Sequence, residues 1–176
     1  MPRLFTGLEV PQDVAFRLSL LRGGVSGAKW IEPDDYHLTL SFIGNVDEGT
    51  ASDAADELSR IAARRLSVRL VGLGSFGGDR PRSIVALAEP TSELVSLQSG
   101  NDRALRRAGV EPERRKFMPH VTIARVKGAS PAAIAAFLGE RPIEPLQFTA
   151  DRFVLYSART SLGGGPYVIE AAYPLD

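Results

Sequence analysis

Cysteine is absent from the 176 residues, which removes disulfides, thiolate zinc sites and cysteine nucleophiles from the available chemistry. Histidine is almost as scarce. Its two copies are too few to hold most metal ions unaided, and no run of carboxylates at ligand spacing stands beside them. Net charge is missing too: 21 basic residues balance 21 acidic ones, so the chain lacks the broad positive field that non-specific duplex binders rely on. That balance still accommodates a small or single-ended anionic ligand in a local pocket. Long hydrophobic runs are also lacking, since no window approaches the roughly 18 uninterrupted apolar residues of a membrane span. Met1-Pro2-Arg3-Leu4-Phe5 leads into a short apolar strand with no signal-peptide core. A cytoplasmic protein that uses no cofactor, metal or membrane is expected.

What the chain does contain is 44% apolar residues, enough for one large domain or two small lobes sharing a core. Both histidines open the same short pattern: His37-Leu38-Thr39-Leu40 and His120-Val121-Thr122-Ile123. With seven threonines in the chain, composition alone would place one two residues after each histidine roughly two times in a thousand. In a strand, side chains alternate faces, so each histidine shares a face with its threonine while Leu38 and Leu40, or Val121 and Ile123, turn into a core.

Around these motifs the expected elements recur in one order. Residues 4–10 read as a strand, and Pro11 opens a helix with Val14, Leu18 and Leu21 on one stripe, ended by Gly23-Gly24. A loop through Trp30 precedes the motif strand 37–43. A helix over about 49–64 carries Ala51, Ala54, Ala55, Leu58, Ile61 and Ala62, and a strand follows at 66–73. The order then repeats: strand 83–88, a helix from Pro90 to Gly109, the motif strand 120–126, a helix from Ser130-Pro131 to about Gly139, and strands near 146–149, 153–157 and 167–172.

From Leu4 to His37 is 33 residues and from Ile84 to His120 is 36. This parallel predicts a single α+β domain over 1–176, bilobal and pseudo-two-fold, with sequence halves of about 1–80 and 81–176. Each lobe is expected to be an antiparallel-rich sheet with helices on its outer face, and the cleft between lobes to bring the two histidine-threonine pairs face to face.

Two imidazoles on one phosphorus centre divide the work of an in-line displacement. One takes the proton of the attacking water and the other protonates the departing alkoxide, each contributing on the order of a hundred- to ten-thousand-fold. Thr39 and Thr122 are placed to bond the non-bridging oxygens that gain charge; strand propensity alone is their other reading. A strained cyclic phosphodiester suits this arrangement, because its reacting bond is already positioned and its leaving group stays tethered.

The paired H-x-T-x motifs about eighty residues apart resemble the two-histidine (2H) phosphoesterase superfamily. More narrowly, Arg3-Leu-Phe-Thr-Gly-Leu, His37-Leu-Thr-Leu-Ser-Phe-Ile-Gly44, Pro119-His-Val-Thr-Ile-Ala-Arg125, Phe153-Val-Leu-Tyr-Ser157 and Gly165-Pro-Tyr167 are similar to the RNA 2',3'-cyclic phosphodiesterases, also called 2'-5' RNA ligases. The resemblance covers nearly the whole chain. It implies hydrolysis of RNA ends, or short oligoribonucleotides, carrying a 2',3'-cyclic phosphate to leave a 2'-phosphate, with reversible 2'-5' ligation as a related reaction; a monomer is expected. It also implies that His37 donates a proton to the leaving 3' oxygen and that His120 is the proton acceptor that activates water. Ser41 departs from the lysine often found there in relatives. Two other readings are a 2H phosphodiesterase acting on a small cyclic nucleotide or on 2'-5' oligoadenylate, and a non-catalytic nucleotide- or RNA-binding module.

Other residues carry two readings each. Strict alternation puts Arg125 on the face opposite His120, so it reaches substrate phosphate only through a bulge or at the strand's end; otherwise it is a solvated ion-pairing arginine. Arg114, Arg115 and Lys116 either steer an RNA end or form a solvated loop. Trp30 stacks on a base or, more in keeping with its size, packs in the core or at the lobe interface. Parity assigns Phe42 to the core, and Tyr156 is a cleft hydroxyl or a packing residue. Gly163-Gly164-Gly165 lacks a following helix and lysine, so it reads as a hairpin loop and no phosphate cradle.

Overall fold

The computed structural model describes residues 3–158 and 166–176; the expected hairpin glycines at 163–165 lie outside them. Among these described residues nine strands form one antiparallel sheet. Four belong to the first part of the chain: β1 (Arg3–Glu9), β2 (Ala28–Trp30), β3 (His37–Asn45) and β4 (Leu66–Phe76). Five follow: β5 (Ser83–Ala88), β6 (His120–Val126), β7 (Leu146–Ala150), β8 (Arg152–Ala158) and β9 (Tyr167–Pro174). Their spatial order is β7-β4-β5-β6-β3-β1-β8-β9, with β2 pairing β6.

The helices are α1 (Gln12–Ser19), α2 (Glu48–Leu58), α3 (Ser92–Arg107) and α4 (Pro131–Glu140). Three start on side-chain caps that satisfy an otherwise orphaned N–H: Asp47 accepts from Thr50, Thr91 from Leu94 and Ser130 from Ala133. The apolar stripes of all four helices join one core with alternate strand residues, among them Leu38, Leu70, Ile84, Val121, Ile123 and Phe153. That layer occupies one face of the sheet. On the other face Phe5, Val154 and Tyr156 form a separate aromatic cluster against which Phe42 and Tyr167 pack. No helix is long and apolar enough to cross a membrane among the described residues.

Two groups of strands, β7-β4-β5-β6 with β2 and β3-β1-β8-β9, meet where β3 pairs β6, and the junction is a single residue pair, Leu38 opposite Val121. The groups are not consecutive stretches of chain. β4 leaves the first half to pair β5 and β7, and β8 returns from the second half to pair β1. With β2 paired to β6 as well, the chain crosses between the two groups four times, and the midpoint near residue 80 separates repeats in the sequence without separating strands in space.

Three elements differ from expectation. α2 stops at Leu58 instead of running to about 64, because the following segment is drawn into backbone pairing with the C-terminus: Arg65 N–H donates to the Asp176 carbonyl, and Asp176 N–H to the Ala63 carbonyl. The loop before the first motif contains β2, held on β6 with Trp30 opposite Ala124. It also contains a single 3₁₀ turn, Pro33–Asp35, directly before His37.

Candidate active site

Leu38 and Val121 are both fully buried toward the helices, so their neighbours along each strand face the other way. Antiparallel register brings His37 level with Thr122 and Thr39 level with His120. The two histidines are then diagonal neighbours on adjacent strands, a relation that places such residues about 7–8 Å apart. All four motif side chains are half-buried on the helix-free face.

Both imidazoles are anchored identically. His37 Nδ1 donates to the Asp35 carbonyl at 2.9 Å, and His120 Nδ1 donates to the Met118 carbonyl at 2.7 Å, each two residues upstream. A carbonyl can only accept, so Nδ1 carries the proton in both rings and Nε2 is left as the free end. Neutral, that nitrogen takes a proton; protonated, it gives one.

The surroundings of the two rings differ. His37 lies 4.9 Å from the Phe5 ring, 5.4 Å from Tyr156 and 4.9 Å from Tyr167, the last nearly edge-on. His120 meets Phe76 edge-on at 4.8 Å. Burial is the main cause that lowers both pKa values. For His37 the value falls to about 4, with the hydrogen bond to Asp35 opposing the shift and the charges of His120 and Arg125 adding to it. For His120 burial again leads, the Met118 hydrogen bond opposes and Arg125 adds to the lowering. In the unliganded protein both rings are therefore neutral at pH 7.

Arg125 reaches this face because β6 is bulged. Ile84 stands opposite Ala124 and Val85 opposite Thr122, which leaves Ile123 as an extra residue. Ile123 and Ala124 both turn into the core, and Arg125 emerges exposed on the side of His120 and Thr122.

β3 carries the same irregularity. Thr6 stands opposite Ser41 and Gly7 opposite Thr39, with Leu40 extra. This corrects the parity reading of Phe42, which joins the aromatic cluster beside Phe5 at 5.8 Å instead of the core. Phe42 and Arg125, each five residues beyond its histidine, are counterparts in the two motifs. Ser41 is turned toward the helices, where its hydroxyl donates to Asp102 Oδ1 on α3 at 2.6 Å, and its N–H donates to Thr6 Oγ1 at 3.2 Å.

The remaining candidates separate cleanly. Trp30 packs against Phe137 of α4 at 5.7 Å, on the core side. Tyr156 is buried in the aromatic cluster, and burial pushes its hydroxyl pKa up. Arg114, Arg115 and Lys116 are exposed, with Arg115 paired to Glu113 at 3.4 Å. Sequence reasoning singled out neither Phe5, Phe76 nor Asp35. Phe5 had a signal, since it opposes Leu4 and Leu8 in strand parity; Asp35 and Phe76 sit in turn-rich or register-dependent positions with none.

Comparison with known proteins agrees with this duplicated arrangement. The family model for LigT like phosphoesterases matches twice, over residues 8–86 and 85–167. An RNA 2',3'-cyclic phosphodiesterase of Thermotoga maritima is 31% identical over 175 residues, covering 95% of this chain and 92% of that protein. One from Aeropyrum pernix is 38% identical over 119 residues, covering 64% of this chain and 68% of its own length. Among solved structures, TT0787 of Thermus thermophilus superposes with a TM-score of 0.80 at 25% identity, covering 98% of this chain and 97% of that one.

Proposed function

This chain belongs to the LigT like phosphoesterase family, and on that premise we propose that it hydrolyses RNA 2',3'-cyclic phosphate ends to 2'-phosphates by paired histidine catalysis without a metal. The observation that carries the reading is the pair of identically anchored imidazoles, both with Nε2 free, on diagonal positions of adjoining strands. The relatives are RNA 2',3'-cyclic phosphodiesterases by name, which supports the substrate class.

In the proposed reaction a water oxygen forms a bond to phosphorus and the P–O3' bond breaks. His120 Nε2 takes the water proton, and His37 Nε2 delivers one to the 3' oxygen. Thr39, Thr122 and Arg125 bond the non-bridging oxygens, whose charge rises in the transition state. With a ribose 5'-hydroxyl in place of water, its oxygen bonds phosphorus as the P–O3' bond breaks, His120 taking the hydroxyl proton and His37 protonating the 3' oxygen, and the two ends are joined through a 2'-5' linkage.

Both rings are neutral before substrate arrives, so the acid must acquire its proton with the ligand. A phosphodiester anion between the rings favours a cationic imidazole and opposes the desolvation that holds the pKa values low. Substrate binding thereby loads one histidine as the acid while its partner stays a base.

The test is a substrate panel in chelator: an oligoribonucleotide ending in a 2',3'-cyclic phosphate, an ADP-ribose cyclic phosphate and 2'-5' oligoadenylate. Turnover of the RNA end to a 2'-phosphate is expected. Turnover of the small nucleotides alone would move the assignment to another branch of the superfamily, and binding without turnover would indicate a non-catalytic module. Loss of activity in chelator, restored by a divalent ion, would overturn the metal-free mechanism.

A further inference from the structure

The two motifs share a backbone anchor but differ in what stands beside it. At the first, the anchoring residue is Asp35, whose carbonyl holds the His37 ring and whose carboxylate Oδ1 accepts the Tyr167 N–H at 3.2 Å, 132 residues away in sequence. Tyr167 begins β9, the edge strand, and its ring lies edge-on to His37 at 4.9 Å and to Phe5 at 5.2 Å. At the second motif the anchoring residue is Met118, an exposed apolar side chain that cannot make the equivalent bond.

We propose that Asp35 is a positioning residue: it seats the start of β9 against His37, and so makes His37 the enclosed member of two otherwise equivalent imidazoles. This rests on the reading that both histidines are catalytic and deepens it, because it names the contact that makes their roles unequal.

Geometry supports an effect at the ring itself. The edge-on Tyr167 completes a wall whose other members, Phe5 and Tyr156, belong to strands already tied into the sheet through β1 and β8. Tyr167 is reached across the end of β9, where Ala158 is its partner in the ladder. A bond from the 3₁₀ turn to its N–H fixes the distance between that strand end and the histidine. Charged and titratable groups facing His37 include Glu9 across β1, itself ion-paired to Arg152 at 2.6 Å, together with Tyr156, Tyr167, Asp35, His120 and Arg125.

Asp35→Ala removes the carboxylate and leaves the carbonyl that holds the ring. Asp35→Asn retains an acceptor oxygen for the Tyr167 N–H, and Tyr167→Ala removes the wall while sparing the turn. The imidazole titrations are followed by NMR on the full chain, alongside kcat and KM for a cyclic-phosphate oligoribonucleotide. In Asp35→Ala the His37 midpoint should rise from about 4 toward 6.5, with His120 unmoved and the alkaline limb of the kcat profile, which reports the proton donor, shifted in the same direction. Asp35→Asn should restore the low value. Tyr167→Ala should reproduce the rise, and combining it with Asp35→Ala should add little, because both remove one contact.

An unmoved His37 titration in a folded Asp35→Ala protein would overturn the proposal, as would equal shifts in both histidines. So would a fully additive double mutant. Should the titrations behave as expected while His37→Ala retains full turnover, the packing role would stand and the catalytic reading would fail.

Discussion

Leu38 of β3 stands directly opposite Val121 of β6, and this one ladder pair joins the two halves of the sheet. Both side chains are fully buried, so the pair sets which face each motif presents. Slipping the junction by one residue would send His37 and His120 into the core and Leu38 and Val121 to the surface.

Leu38→Ala should therefore be costly in two ways. Removing a buried leucine typically destabilises by about 2–5 kcal/mol, which urea unfolding will report. Turnover of the residual folded protein should also fall, because the cavity opens under the strand that carries His37.

Acid should weaken the fold through His37. Its folded pKa, about 4, lies below the ordinary 6.5, so the unfolded chain binds the proton first. Above pH 6.5 both states are neutral and the stability is fully present; it is lost as pH falls from 6.5 toward 4. In urea titrations across that window the wild type should lose more stability than His37→Asn. Parallel curves for the two proteins would argue that the ring is not shielded as described.

Arg125 lowers the pKa of both histidines by its charge. Arg125→Gln should accordingly raise both NMR titration midpoints, and it should raise KM for the cyclic phosphate if the guanidinium contacts a substrate oxygen. A change confined to one histidine would place the arginine elsewhere.

The strong periodic signals were legible without coordinates. Helical stripes such as Val14 and Leu18 in α1, or Leu94, Leu97, Ala104 and Leu105 in α3, mark faces that must be buried, and strict alternation marks His37–Leu40 and His120–Ile123. What local pattern could not show were features decided by partners remote in sequence. The extra residues Leu40 and Ile123 exist only relative to β1 and β5, yet they determine that Phe42 and Arg125 face the motif histidines. α2 ends early because Asp176 claims the backbone beyond it, β2 is three residues long and has no period of its own, and Asp35 meets Tyr167 only after folding.

Ligand binding should take up protons. At pH 7 both rings are neutral, and an anionic phosphodiester between them raises the pKa of at least one. Calorimetric titration with a non-hydrolysed nucleotide phosphate, in buffers of different ionisation enthalpy, should give net proton uptake that vanishes in the double variant His37→Asn/His120→Asn. Equal enthalpies across buffers would indicate binding away from the imidazoles.

The most direct measurement is single-turnover hydrolysis of an oligoribonucleotide bearing a 2',3'-cyclic phosphate by the wild type, His37→Ala and His120→Ala, each confirmed folded. The account predicts a loss of roughly a hundredfold or more in each single variant, the scale of a missing acid or base. Near-wild-type turnover in either one would contradict it.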